Sequence, residues 1–221
     1  MSRECLPDAI LWGYAAMMNG YLEIITGGMY SGKSSELIRR VKRAQYAKKR
    51  VQLFKPLIDD RYSSHQIVSH DQHALEAENL QEIEDIWGKL RPETDIVAID
   101  ELHFFAPDST IQVVESLVLA GKKVIGAGLD LDFAGRPFGA IPYLMAVADE
   151  VDKLRAICIR CGSKAYISQR LVNGQPAAST DEQIEVGGVE RYEARCRKCW
   201  ALADRPSVTV SAEAASTKQS E

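Results

Sequence analysis

The stretch Tyr21-Leu22-Glu23-Ile24-Ile25-Thr26-Gly27-Gly28-Met29-Tyr30-Ser31-Gly32-Lys33-Ser34 joins an apolar run to a glycine-rich turn that ends in Lys-Ser. The run reads as a buried strand, and the glycines end it. A helix should follow, because Leu37, Ile38, Val41 and Ala44 recur at three- and four-residue steps while Arg39, Arg40, Lys42 and Arg43 cover the other face. Gly, four residues, Gly, Lys and Ser, set between a strand and a helix, is the pattern of a phosphate-binding loop. Its glycines allow a tight turn whose N–H groups converge on phosphate oxygens, and the helix N-terminus adds its positive dipole end. Gly27, Gly28, Met29, Tyr30, Ser31, Gly32, Lys33 and Ser34 are therefore candidate nucleotide-phosphate-binding residues. Lys33 would meet the β- and γ-phosphates, and Ser34 would ligate Mg²⁺. The bland alternative, a βα turn carrying a chance lysine, does not account for the flanking strand and helix.

Downstream, Val51-Gln52-Leu53-Phe54, Asp95-Ile96-Val97-Ala98-Ile99 and Lys123-Val124-Ile125-Gly126-Ala127-Gly128 read as strands. Helices are predicted around Leu80 to Leu90 and around Ser109 to Ala120, the second stopping at Gly121. Strands alternating with helices imply a parallel, doubly wound α/β sheet. After about Val151 the texture changes to short segments, an Asn173-Gly174 hairpin signal, cysteine pairs and a Gly187-Gly188 step, which suggests a small β-rich lobe. The expected division is an N-terminal extension over 1–19, a nucleotide-binding domain over 20–150, a smaller domain over 151–204 and a disordered tail over 205–221.

The strand Ile96–Ile99 runs into Asp100 and Glu101. Ends of parallel strands face the crevice where ligands bind, so Asp100 is placed to hold Mg²⁺ and Glu101 to act on whatever attacks the γ-phosphorus. A solvated acidic turn is the bland reading, and the phosphate loop earlier in the chain argues against it. These motifs define a nucleotide site without choosing between hydrolase and kinase. No Asn-Lys-x-Asp sequence occurs, which argues against a signalling GTPase.

Cys158-Ile-Arg-Cys161 and Cys196-Arg-Lys-Cys199 are two Cys-x₂-Cys knuckles thirty-four residues apart. Four thiolates from two such knuckles make a closed tetrahedral Zn²⁺ site with no position left for catalysis, so the metal is expected to be structural. Redox motifs come singly, and Cys5 is read as an ordinary thiol.

With 221 residues, 46% of them apolar and 26% charged, the chain can bury one full α/β domain and a small appendage. A net charge of −4 argues against a nucleic acid polymer or an anionic membrane as partner. The richest apolar stretch, Ala9 to Met18, is too short to span a bilayer and follows Arg3, Glu4 and Asp8 rather than a cationic run. Cytoplasm is the expected compartment.

The phosphate loop, the Asp-Glu at a strand end and the cysteine quartet together resemble the type II, zinc-containing thymidine kinases in their bacterial branch. The resemblance runs from about Gly20 to Trp200 and includes Gly28 to Arg40, Asp59-Asp60-Arg61-Tyr62, Ser69-His70-Asp71, Ile99 to Phe105, Gly128 to Gly139 and Gly187 to Tyr192. It implies a P-loop (RecA-like) parallel-sheet domain with a small C-terminal zinc-ribbon and lasso lobe. It also implies transfer of the γ-phosphoryl group of ATP to the 5′-hydroxyl of thymidine or deoxyuridine, with Glu101 as the base. Met29, Phe104, Leu129, Phe133, Phe138 and Tyr192 match positions that wall the thymine ring, and Val186, Gly187 and Gly188 fall in the lasso that closes over it. Asp59 and Arg61 match a loop near the reacting phosphate. Family members are usually homotetramers, and dTTP inhibits them. One departure is visible, since His103 stands where the family commonly has Gln; His70 is read as an ordinary loop residue. Two other readings compete: a RecA-like ATPase with a zinc module, and a non-enzymatic zinc-ribbon interaction protein.

Overall fold

The structure, a computed structural model, describes residues 20–57, 66–68, 74–185 and 191–205. Its centre is a six-stranded sheet built from β1 (Tyr21–Thr26), β2 (Val51–Pro56), β5 (Glu78–Leu80), β6 (Ile96–Ile99), β7 (Lys123–Gly128) and β8 (Glu150–Lys153). Two short strands, β3 (Gln66–Val68) and β4 (Ala74–Glu76), pair antiparallel outside it. The central order is β5-β2-β6-β7-β1-β8, and every neighbouring pair is parallel. The P-loop strand β1 thus lies between β7 and β8, with β6 one strand beyond β7.

Alternation along the strands explains why both faces are covered. Leu22 and Ile24 of β1, Val97 and Ile99 of β6 and Val124 of β7 pack on one side against α3 (Pro107–Leu119) and α4 (Ile141–Val147). Ile25, Ala98, Ile125 and Ala127 point to the other side and meet Leu37, Ile38 and Val41 of α1 (Lys33–Tyr46). Period two on a strand and period 3.6 on a helix are both satisfied, as a doubly wound sheet requires. The nearly buried Arg40 locks α1 to this frame. It bonds Glu36 on its own helix and Glu23 on β1, each at 2.8 Å, and also pairs with Asp152 on β8. A guanidinium so deep in the structure is tolerable because its donors meet carboxylates.

The helix predicted over Leu80 to Leu90 is corrected by the structure. Leu80 ends β5, a 3₁₀ turn covers Ile83–Asp85, and α2 is a single turn over Ile86–Lys89. The apolar spacing that suggested a helix is real, since Leu80, Ile83 and Ile86 are all fully buried. Leu80 nevertheless supplies its backbone to a strand on β2. The boundary expected at 150/151 falls inside β8, whose register on β1 runs to Lys153.

Beyond β8 a second sheet contains β9 (Ile167–Val172), β10 (Gln175–Pro176) and β11 (Tyr192–Arg195) in the order β10-β9-β11. The Asn173-Gly174 signal is borne out. Both residues have positive φ, 52° and 76°, and they turn β9 antiparallel onto β10. Among the described residues, no helix is long and apolar enough to cross a membrane.

Candidate phosphate, nucleoside and metal sites

The turn after β1 has the backbone its sequence demands. Gly27 has φ 136°, and a Cβ there would stand 2.2 Å from the Leu154 carbonyl oxygen, so both conformation and space require glycine. Gly32 caps α1 in the left-handed region and contributes no capping side chain, an arrangement that leaves the helix entrance to an anion. Lys33 is buried, and its Nζ donates to the Gly28 carbonyl at 3.0 Å, across the mouth of the turn.

Asp100, at the end of β6, faces this turn. It is buried, and its carboxyl is pushed up to about 7, first by burial and then by the charge of Glu101. The Glu101 N–H, the Ser34 hydroxyl and the Lys33 ammonium act in the opposite sense. Lys33, Ser34, Asp100 and Glu101, which come from α1 and the loop after β6, therefore form one electrostatic group. Glu101 occupies the left-handed region with φ 50° and ψ 39°, and its N–H donates to Asp100 Oδ1 at 2.9 Å. A non-glycine residue held there costs about 1–3 kcal/mol, and such strain concentrates at functional sites.

Behind Glu101 lies His103, whose Nδ1 is 3.5 Å from Glu101 Oε2 and accepts the Leu129 N–H at 3.1 Å. The imidazole also packs between Phe104 and Phe138, with ring centroids 4.2 and 4.9 Å away. The expected ring-wall residues thus fall into two groups. Phe104, Leu129 and Phe138 surround His103, whereas Met29, Phe133 and Tyr192 share an apolar cluster with Tyr30 and Trp200. Asp132 shapes the loop carrying Phe133 and Phe138, because its Oδ1 accepts the N–H groups of Ala134 and Arg136 at 2.9 and 2.8 Å. Asp59, Arg61, His70, Val186, Gly187 and Gly188 lie outside the described residues. At the near edge of that last segment, the Tyr192 hydroxyl donates to the Glu185 carbonyl at 2.8 Å and Arg170 pairs with the Glu185 carboxylate at 2.9 Å.

Three contributors were not visible in the sequence. Arg170 is buried on β9 and stacks 4.7 Å from the centroid of Phe133. Trp200 donates its indole N–H to the Phe133 carbonyl at 3.0 Å. Ser168 accepts the N–H of Met29 at 2.8 Å. No motif marks any of them: Ser168 and Arg170 are placed by the pairing of β9 with β11, and Trp200 by the turn of the second cysteine knuckle.

The four cysteines of the two knuckles gather with their sulfurs all within 4.8 Å of one another, in an arrangement able to bind a metal ion. Local backbone geometry produces it. Gly162 N–H bonds to the Cys158 carbonyl at 2.9 Å in one knuckle, and the Cys199 and Trp200 N–H groups bond to the Cys196 carbonyl at 3.1 and 2.9 Å in the other. The Cys161 thiol is pulled down to about 6, chiefly by the Ser163 hydroxyl, while the Cys199 thiol is pushed up to about 12 by its hydrogen bonds to Cys196 and Cys161, so the four sulfurs share protons as one set.

One comparison bears on this arrangement: a family model described as thymidine kinase matches residues 20–200.

Proposed function

The chain belongs to the thymidine kinase family, and from that premise we propose that it is an ATP:thymidine 5′-phosphotransferase of the zinc-containing, type II bacterial branch. The observation that carries the reading is the gathering of Lys33, Ser34, Asp100 and Glu101 at one end of the parallel sheet, within a chain matched over 20–200.

In this reading the phosphate turn cradles ATP and Lys33 neutralises the β- and γ-phosphates. Ser34 and Asp100 would hold Mg²⁺, which when bound offsets the charge on the phosphate oxygens. Glu101 accepts the proton of the nucleoside 5′-hydroxyl as that oxygen attacks the γ-phosphorus, and ADP departs. Glu101 is fixed for this task by its left-handed backbone and by the hydrogen bond its N–H donates to Asp100. Met29, Phe104, Leu129, Phe133, Phe138 and Tyr192 enclose a pyrimidine, whose flat apolar face suits aromatic walls. Val186, Gly187 and Gly188 would close over its edge, and Asp59 and Arg61 would answer the reacting phosphate.

The cysteine quartet suits Zn²⁺. An ideal tetrahedron of thiolates around zinc has sulfurs about 3.8 Å apart, against 3.5 Å for Cys161 and Cys196 and a limit of 4.8 Å for the set. With all donors from protein, the metal would hold the lobe together and take no part in the chemistry. We assign 20–150 to nucleotide binding and 151–204 to the metal and lasso lobe, with β8 as the seam. A homotetramer in the cytoplasm, with dTTP as feedback inhibitor, completes the proposal.

The test is ATP consumption with and without deoxynucleosides, together with kcat/KM for each. A kinase of this kind consumes ATP only with an acceptor and prefers thymidine and deoxyuridine to deoxycytidine and deoxyadenosine. Equal ATP turnover without nucleoside would instead identify a hydrolase.

A further inference from the structure

The phosphate turn is held from outside its own motif. Ser168, on β9 of the C-terminal lobe, is buried, and its Oγ accepts the Met29 N–H at 2.8 Å. The fit is close, since a Cβ on Gly28 would stand 3.3 Å from the same oxygen. One residue further on, Tyr30 takes a φ of 65°, a region that bulky residues occupy only when their surroundings enforce it. The lobe supplies much of those surroundings. The Tyr30 hydroxyl donates to the Tyr192 carbonyl at 3.2 Å, and Tyr30 packs against Ala156, Ala165 and Ala194.

The two anchors are mechanically one. Ser168 lies opposite Ala194 in the β9–β11 register, so the strand that supplies the hydroxyl is paired with the strand that supplies the carbonyl. β11 ends at Arg195, immediately before Cys196 of the second knuckle. The backbone pairing of β9 with β11, completed by the Ser168 and Tyr30 side-chain hydrogen bonds, thus connects the metal-binding cysteines to the entry of the phosphate turn.

We propose that Ser168 and Tyr30 are positioning residues through which the C-terminal lobe sets the shape of the phosphate-binding turn. Nucleotide affinity then depends on contacts made by a lobe that holds none of the phosphate-binding motif. The proposal rests on reading Gly27–Ser34 as that motif. Ser168 takes the N–H of Met29 out of the competition, fixing where the turn begins and leaving the later N–H groups to the phosphates. Without that acceptor, the Met29 N–H must find another direction and Tyr30 loses part of what holds its left-handed backbone. A loosened turn has to be ordered again by the ligand, and affinity falls accordingly.

The experiment is titration calorimetry of the full chain with MgADP, without nucleoside, for wild type, Ser168→Ala and Tyr30→Phe. Metal content, thermal midpoint and steady-state constants are measured on the same preparations. Ser168→Ala should bind MgADP about three- to tenfold more weakly, the loss expected for one net hydrogen bond. Metal content should stay at the wild-type value, and the KM for ATP should rise more than kcat falls. Tyr30→Phe, which keeps the ring packing, should move affinity in the same direction by less. It also carries the test if Ser168→Ala does not fold. Wild-type MgADP affinity in both variants overturns the proposal. Weakening that only tracks loss of metal or of folded protein overturns it too, because the role would then be structural. A wild-type protein that bound no MgADP would overturn the phosphate-turn reading itself, and the proposal with it.

Discussion

His103 and Leu129 are joined by a hydrogen bond in which the Leu129 N–H donates to the imidazole Nδ1 at 3.1 Å. A nitrogen that accepts cannot also donate, so Nδ1 is committed to the Leu129 N–H in this arrangement. The bond ties the loop after β6 to the end of β7. The catalytic candidate Glu101 and the ring-wall candidate Leu129 therefore share one support.

That support can be tested by replacement. His103→Leu keeps much of the bulk but leaves the Leu129 N–H without its acceptor, which should cost about 1–3 kcal/mol in stability. His103→Gln retains an acceptor and should recover most of that loss. Denaturant midpoints of the two variants check the stability, and their kcat values show whether Glu101 has moved.

Glu101→Gln keeps a side chain of the same length but cannot accept a proton. Turnover at saturating ATP and thymidine should fall by about 10²–10⁴-fold, the range for loss of a positioned general base. Both ligands should still bind in equilibrium titrations. Retained turnover would move the search for the base to Asp59.

The raised Asp100 carboxyl gives a pH dependence of definite sign. Its folded value, about 7, lies above its ordinary value of 3.8. Its contribution to the stability of the ligand-free protein is therefore fully present below pH 3.8 and lost as pH rises through about 7. Mg²⁺ needs the ionised carboxylate, so Mg-nucleotide affinity should run the other way and rise through the same window. Asp100→Asn should flatten both profiles, measured as thermal midpoint and as MgADP affinity between pH 5 and 8.

One zinc per chain is expected in protein purified without added metal. Cys158→Ser or Cys196→Ser should abolish it and unfold the lobe, since structural zinc supplies roughly 10–16 kcal/mol in small modules. Elemental analysis, with protease sensitivity of the region after Lys153, checks this. Active protein with a metal ratio near zero would remove the structural role.

How much of this was legible depends on where the determining physics lies. The strand, glycine turn and Lys-Ser of β1 and α1 carry their own geometry, and the paired cysteines carry their spacing, so both could be read locally. β8 could not, because Glu150-Val-Asp-Lys153 is a mostly exposed edge strand with no apolar alternation. Its place is set by backbone pairing with β1. The Leu80 to Leu90 segment misled for a different reason: its apolar residues do face one core, and backbone pairing overrides their helical spacing. Ser168 gave no signal, since an acceptor for the phosphate turn on a strand 139 residues away is a tertiary fact.

The left-handed backbone of Glu101 sets conformational comfort against chemistry at a single position. Glycine would relax it at once, and the relaxed variant would have lost the carboxylate on which phosphoryl transfer is proposed to depend. Screening for heat resistance alone would therefore reward Glu101→Gly, while screening for nucleoside phosphorylation would reject it. Any thermostabilised form of this protein must gain its stability elsewhere, because this residue is a place where durability and turnover are opposed.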